Sequence, residues 1–170
     1  MPAPHTPDAF RADLEACLHV ERFVDEVAAG APYASFDALR AAAAESAARL
    51  TPAEVDEAMA SHPRIGERPT GQGTAQSFSR AEQASADASD EALARAIAEG
   101  NAAYEERFGR VFLIRAAGRS RAEILSELQR RIALDDAEEL GIVADQLAQI
   151  ALLRLEQLYG DAAAPIGAAA

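Results

Sequence analysis

Apolar residues along this chain recur mainly at three- and four-residue steps, the spacing of helices that bury one face. Leu14, Cys17, Leu18, Val24 and Val27 read as an early helix that ends near Gly30-Ala31-Pro32. Ser35 can cap a second, Ala-rich helix running to Leu50. Three later starts carry the capping-box pattern, in which a Ser or Thr side chain bonds forward and a Glu bonds back. They are Thr51-Pro52-Ala53-Glu54, Ser79-Arg80-Ala81-Glu82 and Ser120-Arg121-Ala122-Glu123, the first with Pro at the favoured first helical position. Ser89 can open a longer helix with Leu93, Ile97, Gly100 and Tyr104 along one side and Gly109 at its end. Asp135 or Asp136 opens the last helix, which runs to about Tyr159.

Two stretches lack the helical pattern. Residues 63–78 hold two Pro, three Gly and several Ser and Thr, and read as a long loop. Loops of that length inside a domain are commonly functional. Val111-Phe112-Leu113-Ile114 is an apolar, β-prone run between Gly109 and Gly118, with no partner strand legible elsewhere. Its backbone donors and acceptors need partners, and a ligand is one candidate. Residues 1–7 and 161–170, rich in Pro and Ala, are expected to fray, leaving an ordered core of about 8–160. The expected fold is all-α: one domain over residues 1–170, a single compact multi-helix bundle with a long loop and one short extended apolar segment.

Charge narrows the partners. The 170 residues carry a formal net charge of −12, which leaves no basic surface for nucleic acid or an anionic membrane. No apolar run approaches membrane-spanning length, and Met1-Pro2-Ala3-Pro4-His5 lacks the apolar segment of a signal peptide, so a cytoplasmic protein is expected. The single cysteine, Cys17, excludes an intrachain disulfide and a cysteine-cluster zinc site. The histidines His5, His19 and His62 show no metal-ligand spacing, so no metal is expected.

His62 stands out by position. Pro63 forces its predecessor out of the helical region, placing His62 where a helix hands over to the long loop. A lone histidine is more often an ordinary surface or core residue, and spacing leaves its role open. Glu82 is fully accounted for as the capping-box partner of Ser79, although a helix start beside a loop also offers N–H groups to an anion. Arg154 is more pointed. At 100° per residue from Leu140, Leu147 lies at about −20°, Leu158 at about 0° and Arg154 at about −40°, inside the apolar stripe of the last helix. An arginine there snorkels, pairs with a buried carboxylate or faces a polar cavity, and its planar fork suits a carboxylate or a ureido carbonyl.

Four fragments in order, His62-Pro63-x-x-Gly66, Ser79-x-x-Glu82-Gln83, Asn101-x-x-Tyr104-x-x-x-Phe108-Gly109-x-x-Phe112 and Ile150-x-x-x-Arg154-Leu155, resemble the OHCU decarboxylase family of uric acid degradation. The resemblance covers about residues 32–159. Ala84-Ser85-Ala86-Asp87 and Val111 depart from it, standing where the family usually has a Gly-containing turn and often has Pro. It implies a cofactor-independent, homodimeric, all-helical enzyme that converts 2-oxo-4-hydroxy-4-carboxy-5-ureidoimidazoline, an anionic small molecule, to S-allantoin and CO2. It further implies His62 as general acid/base and proton donor, Glu82 as its orienting partner, and Arg154 on the ureido or ring carbonyl. Backbone groups of Phe112, Leu113, Ile114, Arg115 and Ala116 would hold the ring edge, with Pro63, Ser79 and Gln83 completing the pocket. Two other readings remain at this point: a purine-metabolite binder without turnover, which would not need His62, and a helical interaction module, which would need none of these polar residues.

Overall fold

The computed structural model describes residues 6–65, Thr74, Phe78, 91–162 and 165–168. Among them are seven helices: α1 (Pro7–Cys17), α2 (Glu21–Ala29), α3 (Phe36–Ala47), α4 (Pro52–Met59), α5 (Glu91–Phe108), α6 (Arg121–Ile132) and α7 (Asp136–Tyr159). No sheet occurs among the described residues; a single antiparallel bridge joins Tyr33 and Ile166. The fold class is all-α. No described helix is long and apolar enough to cross a membrane.

Most starts follow the capping chemistry. The Ser35 side chain accepts from the Ala38 amide at 3.3 Å. Thr51 and Glu54 form a reciprocal box, with the Thr51 amide donating to Glu54 at 2.8 Å and the Glu54 amide to the Thr51 hydroxyl at 3.3 Å. Ser120 and Glu123 form another. Asp135 accepts from the Glu138 amide at 2.8 Å, which makes Asp135 the cap of α7 and Asp136 its first helical residue. Gly109, at φ 68°, ends α5 in a conformation that side chains disfavour. The Ser79 box lies outside the described residues.

Three expectations need correction. The early helix is two helices, because Leu18 and Val20, between α1 and α2, leave helical geometry. On one unbroken helix, Phe10, Leu14, Cys17 and Leu18 would face about 115° away from Val20, Phe23, Val24 and Val27. The break lets both groups be buried. Within the expected loop, Thr74 and Phe78 are helical and Phe78 is buried, an apolar anchor that the surrounding Gly and Pro obscured. The ends are also better held than their composition suggests. Thr6 caps α1, whose first residue is Pro7. Ile166 is buried and exchanges two 2.9 Å backbone hydrogen bonds with Tyr33, the one large aliphatic residue in the tail finding a core.

The chain forms two compact units, one of residues 1–58 with 147–170 and the other of residues 59–146. In the first, Phe10 packs edge-on against Tyr33 and Tyr159. Arg22 joins α2 to α4 through Glu54, which accepts from its Nε at 2.5 Å. In the second, Tyr104, Phe112, Ile114, Ala116, Ile124 and Leu128 make one buried cluster between α5 and α6.

Candidate functional site

His62 lies just beyond α4, where its backbone amide donates to the Met59 carbonyl at 3.1 Å and closes the final turn. Pro63 follows, and both residues are partly buried. The helix-to-loop junction expected from Pro63 is therefore present. Farther along, the Asn101 side chain donates from Nδ2 to the Ile65 carbonyl at 2.9 Å, tying the chain leaving His62 to the middle of α5. Arg64 reinforces the same tie through Glu105, whose carboxylate accepts from Nε at 2.5 Å and from Nη2 at 2.8 Å. The Arg64 hydrogen bonds, with its charge beside them, hold the Glu105 carboxyl below the usual range. A cleft of about 300 Å³ opens beside this stretch, lined among others by Arg64, Ile65, Asn101, Glu105 and Arg121.

The extended segment shows why its sequence is so apolar. Phe112, Ile114 and Ala116 alternate into the cluster between α5 and α6, a period of two that only extended backbone produces. Successive residues of such a segment aim their N–H and C=O groups at opposite edges. Side chains meet the edge formed by Leu113 and Arg115 at one carbonyl and one amide. Arg131 Nη1 donates to the Leu113 carbonyl at 2.8 Å, and Gln146 Oε1 accepts from the Arg115 amide at 2.9 Å. On the other edge, the Ile114 amide donates to none of the described residues and its carbonyl accepts from none, while the Ala116 carbonyl accepts from the Arg119 amide at 3.0 Å. Among the described residues no strand competes for that edge, so the Ile114 groups can pair with a planar ring carrying its own donors and acceptors. The Arg115 side chain keeps a buried Nε with no partner among the described residues.

Arg154, in the other unit, occupies the place its wheel position indicates: it is 3% exposed on α7. Its Nη1 donates to the Ala16 carbonyl at the end of α1, at 3.2 Å. Arg154 is anchored on one side by backbone, in a setting where a guanidinium is strongly directional.

Glu82, Ser79 and Gln83 lie outside the described residues. Sequence reasoning passed over Arg131 and Glu139, which are 1% and 0% exposed and bonded to each other in the core of the second unit. The signal was available: Arg131 follows Ile124 and Leu128 at helical spacing, the same kind of argument that singled out Arg154. Asn101 was visible only as part of a motif, and its bond to Ile65 depends on tertiary placement. Among the described residues no group of three His, Cys, Asp or Glu side chains is arranged to hold a metal ion.

Known proteins resemble this chain. The OHCU decarboxylase family pattern matches residues 5–156. The chain is 30% identical over 155 residues to the uric acid degradation bifunctional protein TTL of Arabidopsis thaliana, covering 89% of this chain and 48% of that protein. It thus spans about half the length of the plant relative. It is 31% identical over 134 residues to the 2-oxo-4-hydroxy-4-carboxy-5-ureidoimidazoline decarboxylase of Amia calva, covering 76% of this chain and 75% of that one. A crystal structure of OHCU decarboxylase in the presence of (S)-allantoin matches with a TM-score of 0.74 and 25% identity, over 88% of this chain and 99% of that one. A crystal structure of (S)-allantoin synthase shares the fold, with a TM-score of 0.62 and 16% identity over 89% of this chain and 50% of that one.

Proposed function

The chain belongs to the OHCU decarboxylase family, and from that premise we propose that it is a carboxy-lyase of urate degradation. It takes 2-oxo-4-hydroxy-4-carboxy-5-ureidoimidazoline to S-allantoin and CO2. The observation that carries this reading is the family match over residues 5–156, which encloses every residue of the candidate site.

The substrate supplies its own electron sink. When the bond to the carboxylate breaks, its electron pair forms a C=C bond to the carbon bearing the ureido group, the C=N pair moves onto nitrogen, which takes up a proton, and CO2 leaves. The carbinol oxygen then becomes the ring carbonyl as its proton is lost, and the carbon bearing the ureido group takes up a proton on one face. No metal or organic cofactor is required for this sequence. What the protein supplies is position and a proton delivered to one side, which sets the S configuration.

In this reading His62 is the general acid/base, because imidazole is the side chain whose ordinary pKa suits proton transfer near neutrality. Its place at the end of α4, with the following chain tied down by Asn101, supports a fixed imidazole. Glu82 orients that imidazole. Arg154 binds the ureido or ring carbonyl, and Pro63, Ser79 and Gln83 complete the substrate's surroundings. The open edge of the segment Phe112–Ala116 takes the ring edge through its backbone. The active species is a homodimer, as the family resemblance implies.

His62→Asn tests the central role. Asn preserves much of the polarity and volume but cannot exchange a proton near neutrality. With general acid–base catalysis typically contributing on the order of 10²–10⁴ in rate, the accelerated formation of S-allantoin should fall by at least about a hundredfold. The assay generates the unstable substrate from urate in place, subtracts its spontaneous decay and follows the product by circular dichroism. Activity within about threefold of wild type would remove His62 from the chemistry. Wild-type protein that binds the substrate without turning it over would make this a binding domain instead.

A further inference from the structure

Arg131 and Glu139 form a fully buried ion pair in a core that apolar residues would fill equally well, since replacing such pairs by hydrophobic residues is often neutral or stabilising. What apolar residues cannot do is aim a donor. Arg131 Nε bonds both carboxylate oxygens of Glu139 at 3.0 Å, and Nη2 bonds one of them at 2.5 Å. Tyr104 donates its hydroxyl to the same carboxylate, and burial together with that carboxylate pushes the phenol's pKa up, so it remains a donor. With the rest of the guanidinium locked, Nη1 points at the Leu113 carbonyl, 2.8 Å away. The guanidinium carbon lies 4.6 Å from the centroid of the Phe112 ring. One side chain thus grips two consecutive residues of the extended segment, one by its ring and the next by its backbone.

We propose that Arg131 is a positioning residue: held by Glu139 and Tyr104, it fixes the segment Phe112–Ala116 in the extended form whose open edge receives the substrate. Gln146 performs the matching task one turn of the pleat away, at the Arg115 amide. Rotating the Ile114 edge inward would break the bonds at both the Leu113 carbonyl and the Arg115 amide. The arginine acts through the backbone and touches no reacting atom. The substrate's part in this inference rests on the proposed function; the way the segment is held does not.

Arg131→Lys separates the fork from the charge. Lysine keeps a cation beside Glu139, but its compact ammonium lacks the planar fork that spans Glu139 and Leu113 together. Losing one charge-assisted hydrogen bond should raise KM for the ureidoimidazoline by about tenfold. Because the segment holds ground state and transition state alike, kcat should stay within about threefold. In the ligand-free protein, peptides covering 112–116 should exchange backbone hydrogens about tenfold faster, while those of α3 remain unchanged. Arg130→Lys, an exposed control beside Glu127, should alter neither quantity. If Arg131→Lys does not fold, the double variant R131M/E139Q removes both buried charges and takes the same two measurements with the same expected directions.

Wild-type KM and exchange rates in the folded variant would overturn the proposal. So would a collapse of kcat with KM and exchange unchanged, which would place Arg131 on the reacting atoms. The exchange measurement needs no substrate. Faster exchange in a protein whose wild type shows no turnover would therefore defeat the proposed function and leave the Arg131 assignment standing. Normal wild-type turnover with an unmoved variant would do the reverse.

Discussion

Arg154 shows how a single side chain can be read twice. Its depth in the apolar face of α7 followed from helical spacing, and the structure places it there at 3% exposure. Spacing could not say what it faces, since that depends on which other helix end arrives beside it; the end of α1 does, with the Ala16 carbonyl. Arg154→Met discriminates a structural arginine from a functional one. Breaking a buried ion pair costs about 3–5 kcal/mol, whereas losing the bond to a backbone carbonyl costs about 1–3 kcal/mol. Met fills similar volume and removes the need to bury a charge, which offsets part of that loss, as neutralised functional sites often show. For an arginine that serves the substrate, the expected result is turnover reduced at least about a hundredfold with a loss of unfolding free energy below the roughly 3–5 kcal/mol of a broken ion pair. Urea melts and the urate-coupled assay on one preparation check it. Large destabilisation with normal activity per folded molecule would return Arg154 to a purely structural part.

At the scale of elements, local chemistry set most helix starts, and that claim has a direct test at α6. Ser120 caps the helix by accepting from the Glu123 amide, and Glu123 answers by accepting from the Ser120 amide at 2.7 Å. Those bonds pull the Glu123 carboxyl below its ordinary pKa. Ser120→Ala removes one half of the exchange and should lower stability by about 1 kcal/mol, while Ser120→Thr should be nearly neutral. Because the box stands eleven residues before Arg131, KM should not move. A KM change equal to that of Arg131→Lys would mean that the whole helix, and not the arginine, positions the extended segment. The junction between α1 and α2 illustrates the limit of local reading. Every residue from Phe10 to Val27 fits a helix on its own, and the break at Leu18–Val20 is imposed by the need to bury two faces that one straight helix would point apart.

Across the whole molecule, the chain's acidity is balanced by carboxylates that gain partners on folding. Glu54 is the strongest case: hydrogen bonds from Arg22 outweigh the cost of burial and hold its pKa down from 4.5 to about 2. Glu26, Glu105, Glu123 and Glu127 are shifted the same way, chiefly by hydrogen bonds from Ser46, Arg64, Ser120 and Arg130 respectively. A carboxylate with a lower pKa in the folded state stabilises it fully above the unfolded value and loses that contribution as pH falls through the folded value. Stability should therefore drop between pH 4.5 and about 2. Glu54→Gln should be less stable than wild type near neutrality and show a shallower acid limb, measured as urea midpoints across that range. A wild-type midpoint that holds steady or rises down to about pH 2 would contradict the ledger of partners.

The sequence by itself determined the all-helical class, most of the capped starts, the junction at His62, the depth of Arg154 and the family. Each of these is encoded within a turn or two of chain, or in a motif whose spacing carries its meaning. Only the tertiary structure decided the break after Cys17, the docking of Ile166 on Tyr33, and the tie from Asn101 to Ile65. It also decided how an isolated extended segment can exist without a sheet. On one edge of that segment the Leu113 carbonyl and the Arg115 amide are met by Arg131 and Gln146, side chains that lie 18 and 31 residues farther along the chain than the groups they bond. Periodicity reports which face of an element is buried and says nothing about which distant side chain will meet it. Hydrogen bonds between remote residues exist only once packing has brought them together, so they are legible in the folded molecule alone.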